Sequence, residues 1–246
     1  MSAFTLVSPK LYLGEFDVSG DLSALALDYS ADGIDNTCAG ATAKTRLGGL
    51  KGVALSCQGY WQAGATPDLI DHILWDKFAV ADTVATVCGQ TGAAGEACSF
   101  FRADIAKYTV GASLGSMLAF SASGEASTGP LVLGTVMATG SKTSTAAGTG
   151  YGLGLLGAGQ YAYAALHVIS VSGTNPTLDV LIQSDVDADF GSPTTRFTFS
   201  QKTAIGSQWL TPLAGAVADD DFWRASWTIG GTNTPTFGIV VVLGIQ

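Results

Sequence analysis

The chain has 246 residues, of which 11 are basic and 20 acidic, giving a net charge of −9. Hydrophobic residues make up 47% of it and charged residues 13%, a composition typical of a packed protein rather than a disordered one. Duplex binding requires clustered Lys and Arg to neutralise phosphates, and the absence of a basic cluster argues against it. The length allows one large β domain or two smaller ones.

The first third of the chain predicts strands separated by a long connection. Apolar and polar residues alternate at residues 10–19 and 22–29, as in half-buried strands. A polar stretch from Asp32 to about Arg46 is too long for a hairpin turn, so we predict a long loop there. The first ten residues lack a basic segment followed by an apolar core, so no secretory signal is expected.

One helix is predicted at residues 67–78. Thr66, Pro67 and Asp68 supply a cap, a proline suited to the first helical position and an early acid. The apolar residues that follow at helical spacing are Leu69, Ile70, Ile73, Leu74 and Phe78. Because they form one stripe, the helix should lie against a sheet.

The middle of the chain has low complexity. Lys142 is the only charged residue between Glu125 and Asp179, and residues 138–150 are almost wholly Ala, Thr, Ser and Gly. Such a stretch buries little side-chain surface and is typical of a flexible connection. We therefore predict a β domain at residues 1–125, a connection or arm at 126–150, and a second β-rich unit at 151–246.

Three aspartates at alternate positions, Asp185, Asp187 and Asp189, raise the question of a calcium loop. A calcium loop of the helix–loop–helix type needs glycine at its sixth position and glutamate at its twelfth, which here hold Phe190 and Arg196. The flanking residues alternate as in strands, so a solvated strand connection is favoured and a weak cation site is the alternative.

The last apolar run, residues 238–245, is continuously hydrophobic. It should be buried on both faces or pressed against a partner. The apolar stretch at residues 151–171 contains Gln160, His167 and several glycines, so two short strands fit it better than a membrane span.

The four cysteines (Cys38, Cys57, Cys88 and Cys98) have neither CxxC spacing nor the density of a secreted disulfide scaffold. Reduced, semi-buried thiols are therefore expected. The two histidines, His72 and His167, occur without a nucleophile elbow, a P-loop or an HExxH motif. We predict no enzyme activity, no cofactor and no metal site, with each histidine on the surface or satisfied within the core.

The order of these elements resembles the major tail (tail tube) proteins of long-tailed bacteriophages with non-contractile tails. The resemblance rests on the order of Glu15-Phe-Asp-Val-Ser-Gly20, a strand, the long polar loop, Arg46-Leu-Gly-Gly-Leu-Lys51, Gly59-Tyr-Trp61 and a lone helix. In the second half, His167-Val-Ile-Ser-Val-Ser-Gly173, Ser192-Pro-Thr-Thr-Arg196 and Trp223-Arg-Ala-Ser-Trp227 are similar to later parts of phage structural proteins.

The resemblance implies a mainly β fold, an antiparallel sandwich or barrel of tail-tube type with one packed helix, formed as one domain or as two tandem units. It implies a virion tail protein, assembled in the host cytoplasm, that stacks as rings around a DNA channel with other phage tail proteins and without a membrane. The loop residues Asn36, Thr37, Lys44 and Arg46 would contact the neighbouring subunit. A hexameric ring is favoured over a trimer of tandem units.

Two other functions remain open from the residues. A head-decoration or tail-fibre protein would assemble on an existing lattice. A carbohydrate-binding β-sandwich would use Trp209, Trp223 and Trp227 as a platform, although tryptophans are more often core residues. The acidic balance suits a conduit, because carboxylates on a lumen would repel phosphates.

Overall fold

The structure is a computed structural model that describes residues 8–39, 42–62, 69–215 and 219–246. In these ranges it contains fifteen β-strands, one α-helix and a short 3-10 turn at Ser19–Asp21. The elements are β1 (Lys10–Leu13), β2 (Phe16–Asp17), β3 (Leu22–Asp35), β4 (Arg46–Tyr60), α1 (Ile70–Asp76), β5 (Thr83–Cys88), β6 (Ala97–Gly111), β7 (Ala119–Ala126), β8 (Val132–Lys142), β9 (Ala146–Ala147), β10 (Tyr151–Gly152), β11 (Tyr161–Asp185), β12 (Thr194–Thr198), β13 (Gly206–Trp209), β14 (Leu213–Ala214) and β15 (Phe222–Ile245). The predicted fold class, mainly β with antiparallel pairing, is confirmed.

The chain divides into two compact units that are interleaved in sequence. The first combines Met1–Gly20, Thr83–Phe101 and Val132–Gln246, and the second combines Asp21–Asp82 and Arg102–Leu131. This division differs from the predicted sequential domains at 1–125 and 151–246. The reason is long-range pairing, since β6 joins β8 and β1 joins β5 within the first unit.

In the first unit the strand order is β12-β11-β15-β8-β6-β5-β1-β2. Strand β15 lies inside this sheet, with β11 on one side and β8 on the other. Residues Phe237 and Ile239–Leu243 are completely buried. The predicted burial of the last apolar run is confirmed.

Strands β11 and β15 form one long ribbon that is interrupted near its middle. Its pairing slips between Ser172 and Thr177, and Gly173 and Gly231 take left-handed backbone angles there. Leu166 from the first half of β11 and Val180 from the second half belong to the same hydrophobic core. The interruption therefore lets both halves of one ribbon bury their apolar faces together.

The low-complexity segment differs from the predicted connection or arm at 126–150. Residues 132–142 form β8, in which Val136 and Met137 are fully buried. Small residues are needed here for close packing, because a Cβ on Gly134 would lie 2.4 Å from the Leu243 carbonyl oxygen. The small residues that suggested a flexible connection therefore allow β8 and β15 to lie close together.

In the second unit, strand β4 lies between β3 and β7, and β7 also pairs with β6. Its buried face includes Leu55, Ile105 and Phe120. The helix is shorter than the predicted 67–78, and the proposed cap at residues 66–68 lies outside the described residues. Ile70, Ile73 and Leu74 are buried, as the stripe predicts, whereas Phe78 follows the helix and is exposed.

Helix α1 is held by a polar anchor. Trp61 Nε1 donates to Asp71 Oδ1 over 2.8 Å, and the Tyr108 hydroxyl donates to the same oxygen. The Tyr108 hydrogen bond, followed by that of Trp61, lowers the pKa of the Asp71 carboxyl group. An ionised Asp71 therefore ties the start of the helix to Trp61, which follows β4, and to Tyr108 on β6.

Candidate assembly surface

Strands β3 and β4 form a hairpin that extends beyond the packed part of the second unit. Its register runs from Leu22 opposite Gly59 to Asp35 opposite Arg46. Toward the end of β4 that pairs with β7, Val53, Leu55 and Cys57 are buried. From Asp28 to Asp35 every residue of β3 is exposed, and on β4 only Gly49 among residues 46–52 is partly covered. Both faces of this far half therefore meet solvent.

The predicted contact residues Asn36, Thr37, Lys44 and Arg46 lie together at the end of this hairpin. The Asn36 N–H donates to the Thr45 carbonyl over 3.1 Å, and the Thr45 N–H donates to the Thr37 hydroxyl over 2.9 Å. The connection spans residues 36–45, so it is shorter than the predicted loop from Asp32 to Arg46. The ends of β3 and β4 could not be predicted from the sequence. A ribbon that is exposed on both faces does not need alternating apolar and polar residues, so the usual strand pattern is missing there.

Charge at the hairpin end is mixed. Asp35 lies opposite Arg46 in the strand register, and Lys44 is exposed nearby. The Thr37 side chain, with the Thr37 backbone N–H, donates to Asp35 and lowers the pKa of its carboxyl group. The surface therefore offers both charge signs to a contacting molecule.

Apolar residues on the hairpin were missed by the sequence reasoning, which singled out only polar positions. The exposed apolar residues are Tyr29, Ile34, Leu47 and Leu50, with Leu50 at 83% exposure. Ile34 and Leu47 are cross-strand partners. The signal available was the pair of leucines flanking Gly48 and Gly49. Exposed apolar side chains gathered in one patch are a common feature of contact surfaces.

Strand β3 also carries an open edge. Among the described residues it pairs only with β4. A strand of 14 residues without a second neighbour presents a row of backbone N–H and C=O groups that can pair with another strand. The hairpin thus combines free backbone groups with exposed apolar side chains.

Asp185 is the buried last residue of β11, and Asp187 and Asp189 lie in the connection from β11 to β12, as the strand interpretation predicts. The Asp185 carboxylate accepts from the Val186 and Ser192 N–H groups, at 2.7 and 2.9 Å. The Asp187 side chain accepts from the Asp189 N–H over 3.0 Å. The turn interpretation is confirmed. Across the described ranges, no group of three or more His, Cys, Asp or Glu side chains is placed to hold a metal ion.

The remaining candidate residues belong largely to the core. His167 is fully buried and hydrogen-bonded, as a core-satisfied histidine should be, and His72 is exposed. Trp223 and Trp227 are buried, and their indole N–H groups donate to backbone carbonyls. Trp209 is half-buried against Phe100. The prediction that these tryptophans serve the core is confirmed for Trp223 and Trp227.

No helix within the described residues combines the length and apolarity needed to cross a membrane.

No family model and no curated protein matches the chain. Among solved structures, it is similar to a chain from the virion of a native gene transfer agent particle, with TM-score 0.41, 14% identity, and coverage of 53% of this chain and 98% of the other. A chain from the tail of an empty gene transfer agent particle, refined with C6 symmetry, has TM-score 0.35, 16% identity, and coverage of 48% and 92%.

A third solved structure is similar over almost the whole length of both chains. It is the Dit protein of SPP1, described as a paradigm of the hub adsorption apparatus in phages that infect Gram-positive bacteria, with TM-score 0.42, 11% identity, and coverage of 97% and 99%. These structural neighbours are components of phage and gene-transfer-agent particles.

Proposed function

We propose that the chain is a non-enzymatic structural protein of a phage-type virion tail, assembled in the host cytoplasm. Copies of it join into closed rings, and the rings stack with other tail proteins into a tube. The β3–β4 hairpin, with Asn36, Thr37, Lys44 and Arg46 at its end, forms the contact between subunits. No cofactor and no membrane take part.

The observation that carries this proposal is the far half of the hairpin, exposed on both faces and open along β3. A two-stranded ribbon is at best marginally stable alone in water. A neighbouring subunit would cover Tyr29 and Leu50 and pair with the free edge of β3. Closure of a ring removes every such edge at once, which supports cyclic assembly over an open chain.

The net charge of −9 supports a conduit for DNA. Acidic side chains facing a lumen repel phosphates, so the genome slides through without sequence-specific binding. A protein that bound DNA tightly along a tube would oppose its release. The proposal therefore places DNA in the channel as a passing cargo rather than a ligand.

The test is a shortened hairpin. Deletion of residues 34–45 leaves Arg46 and Leu47 as a two-residue connection between Gly33 and Gly48, which are paired in the register. We expect a folded β protein, checked by circular dichroism, that makes no rings or tubes in negative-stain microscopy. The intact protein should show rings or tubes with a central hole.

A matched pair of point variants separates the hairpin from exposed apolar surface in general. Leu50→Ser should weaken assembly by at least tenfold in the concentration required, whereas Leu114→Ser, at a fully exposed leucine outside the hairpin, should not. Equal loss in both variants, or normal tubes from the deletion, would rule the hairpin out as the contact. Dispersed globules from the intact protein would favour a decoration or fibre protein.

A further inference from the structure

Two cysteines lie close together in the first unit, on neighbouring strands. Cys88 ends β5 and Cys98 is the second residue of β6. Both belong to one hydrophobic cluster, with Tyr12, Val84 and Phe100. Neighbouring strands lie about 4.7–4.9 Å apart, and residues that face each other at this spacing fall within the Cα separation of about 4.4–6.8 Å that a disulfide spans. All four cysteines of the chain are free thiols.

The two thiols are joined by a hydrogen bond. The Cys98 thiol donates to the Cys88 sulfur, which lowers the pKa of Cys88, and the same bond together with burial raises the pKa of Cys98. Cys57, in the second unit, has no such partner, and burial raises its pKa to about 11. Thiolate character is therefore concentrated on Cys88, and the thiolate is the reactive form.

We propose that Cys88 and Cys98 are a dithiol modification site that forms an intramolecular disulfide when the protein meets a peroxide. Hydrogen peroxide is small and uncharged. It reaches the pair past Cys98, which keeps 5% exposure, because the attacking Cys88 is fully buried. The disulfide fixes the β5–β6 hairpin by closing the loop between the two residues. This site is independent of the proposed function.

The chemistry balances in two steps. The Cys88 sulfur attacks one peroxide oxygen, the O–O bond breaks, and the departing hydroxide leaves as water with the thiol proton, giving a sulfenic acid. The Cys98 sulfur then attacks the Cys88 sulfur, the S–O bond breaks, and the second hydroxide leaves as water with the Cys98 proton. Two thiols are oxidised by two electrons, and one peroxide is reduced to two waters.

The experiment treats the folded full-length chain with hydrogen peroxide in a Cys38→Ser background, because the exposed Cys38 could otherwise link two molecules. Remaining thiols are alkylated under denaturing conditions. The two cysteines share one tryptic segment, residues 78–102, and Glu96 lies between them. Digestion with trypsin and a glutamate-specific protease should yield a cross-linked pair of peptides that reductant separates.

Thermal stability and cysteine variants test the site further. The oxidised protein should unfold at a temperature roughly 5 °C higher, and Cys57→Ser, as matched control, should leave the cross-link unchanged. Cys98→Ser should instead leave a Cys88 sulfenic acid that dimedone traps. Recovery of both cysteines as alkylated thiols, their separate overoxidation, or a cross-link that forms only in unfolded protein would overturn the assignment.

Discussion

His167 shows how a single buried side chain sets a pH dependence. Its Nδ1–H donates to the Gly14 carbonyl over 2.6 Å, so its Nε2 accepts from the Thr86 hydroxyl over 2.8 Å. Burial lowers the pKa of His167 from 6.5 to about 4, against the opposing effects of the Gly14 hydrogen bond and of Glu15. The imidazole is neutral in the folded protein at physiological pH.

This depressed pKa predicts acid sensitivity. Below about pH 6.5 the His167 imidazole is protonated in the unfolded chain but stays neutral in the folded chain. The free energy of unfolding therefore falls as the pH drops from about 6.5 to about 4. Below about pH 4 this histidine is protonated in both states and causes no further change. The loss is at most about 3 kcal/mol. Urea-denaturation midpoints at pH 7.5, 6 and 5 should show it.

The chain's two histidines provide a matched control for this measurement. His167→Gln should flatten the dependence of the midpoint on pH in this window, whereas the exposed His72→Gln should retain the slope of the unmodified protein. An unchanged slope in His167→Gln would show that another group causes the acid sensitivity.

A second prediction at this scale concerns calcium. Asp185 already accepts two backbone N–H groups, and Arg196, where a calcium-binding glutamate would stand, forms an ion pair with Asp220 at 2.8 Å. We therefore expect no micromolar calcium binding at Asp185, Asp187 and Asp189. Isothermal titration calorimetry checks this, and a micromolar isotherm abolished by Asp187→Ala would contradict it.

At the scale of elements, β15 should be the most sensitive strand to loss of side-chain volume. Ile239 is completely buried between Val168 on β11 and Gly140 on β8. Ile239→Ala removes three buried carbons and should lower the free energy of unfolding by about 2–5 kcal/mol. Ile205→Ala, at a residue that is 48% exposed, should cost less than about 1 kcal/mol. Denaturant titration compares them, and similar costs would refute the packing argument.

An element can be predicted from the sequence when its residue pattern has only one structural explanation. The last apolar run was predictable because a strand buried on both faces must be apolar throughout, and the short helix because its stripe repeats at helical spacing. Strand β8 was not predictable, since its small residues serve a close approach at Gly134 that composition cannot distinguish from flexibility. The hairpin's polar end was anticipated, but its exposed Leu47 and Leu50 acquire meaning only once both faces are known to be open.

At the scale of the whole molecule, the proposed assembly predicts a ring of six subunits. Each chain carries one β3–β4 hairpin, in one of two units that are interleaved rather than repeated in order along the sequence. With one proposed contact hairpin per chain, we expect the hexamer that the resemblance to single-domain tube proteins implies, rather than a trimer of tandem tube domains. End-on class averages of tube fragments measure this directly: sixfold symmetry supports the hexamer, and threefold symmetry removes it.

The inside position of β15 has a consequence for biosynthesis. Strands β8 and β11 are translated before β15, yet β15 lies between them in the sheet. Until it emerges from the ribosome, each of its neighbours has an unpaired edge, and the apolar residues of β11 lack their cover. Nascent chains stalled before β15 should therefore be the species most prone to aggregate and to recruit chaperones. The sheet can be completed only after β15 has been synthesised.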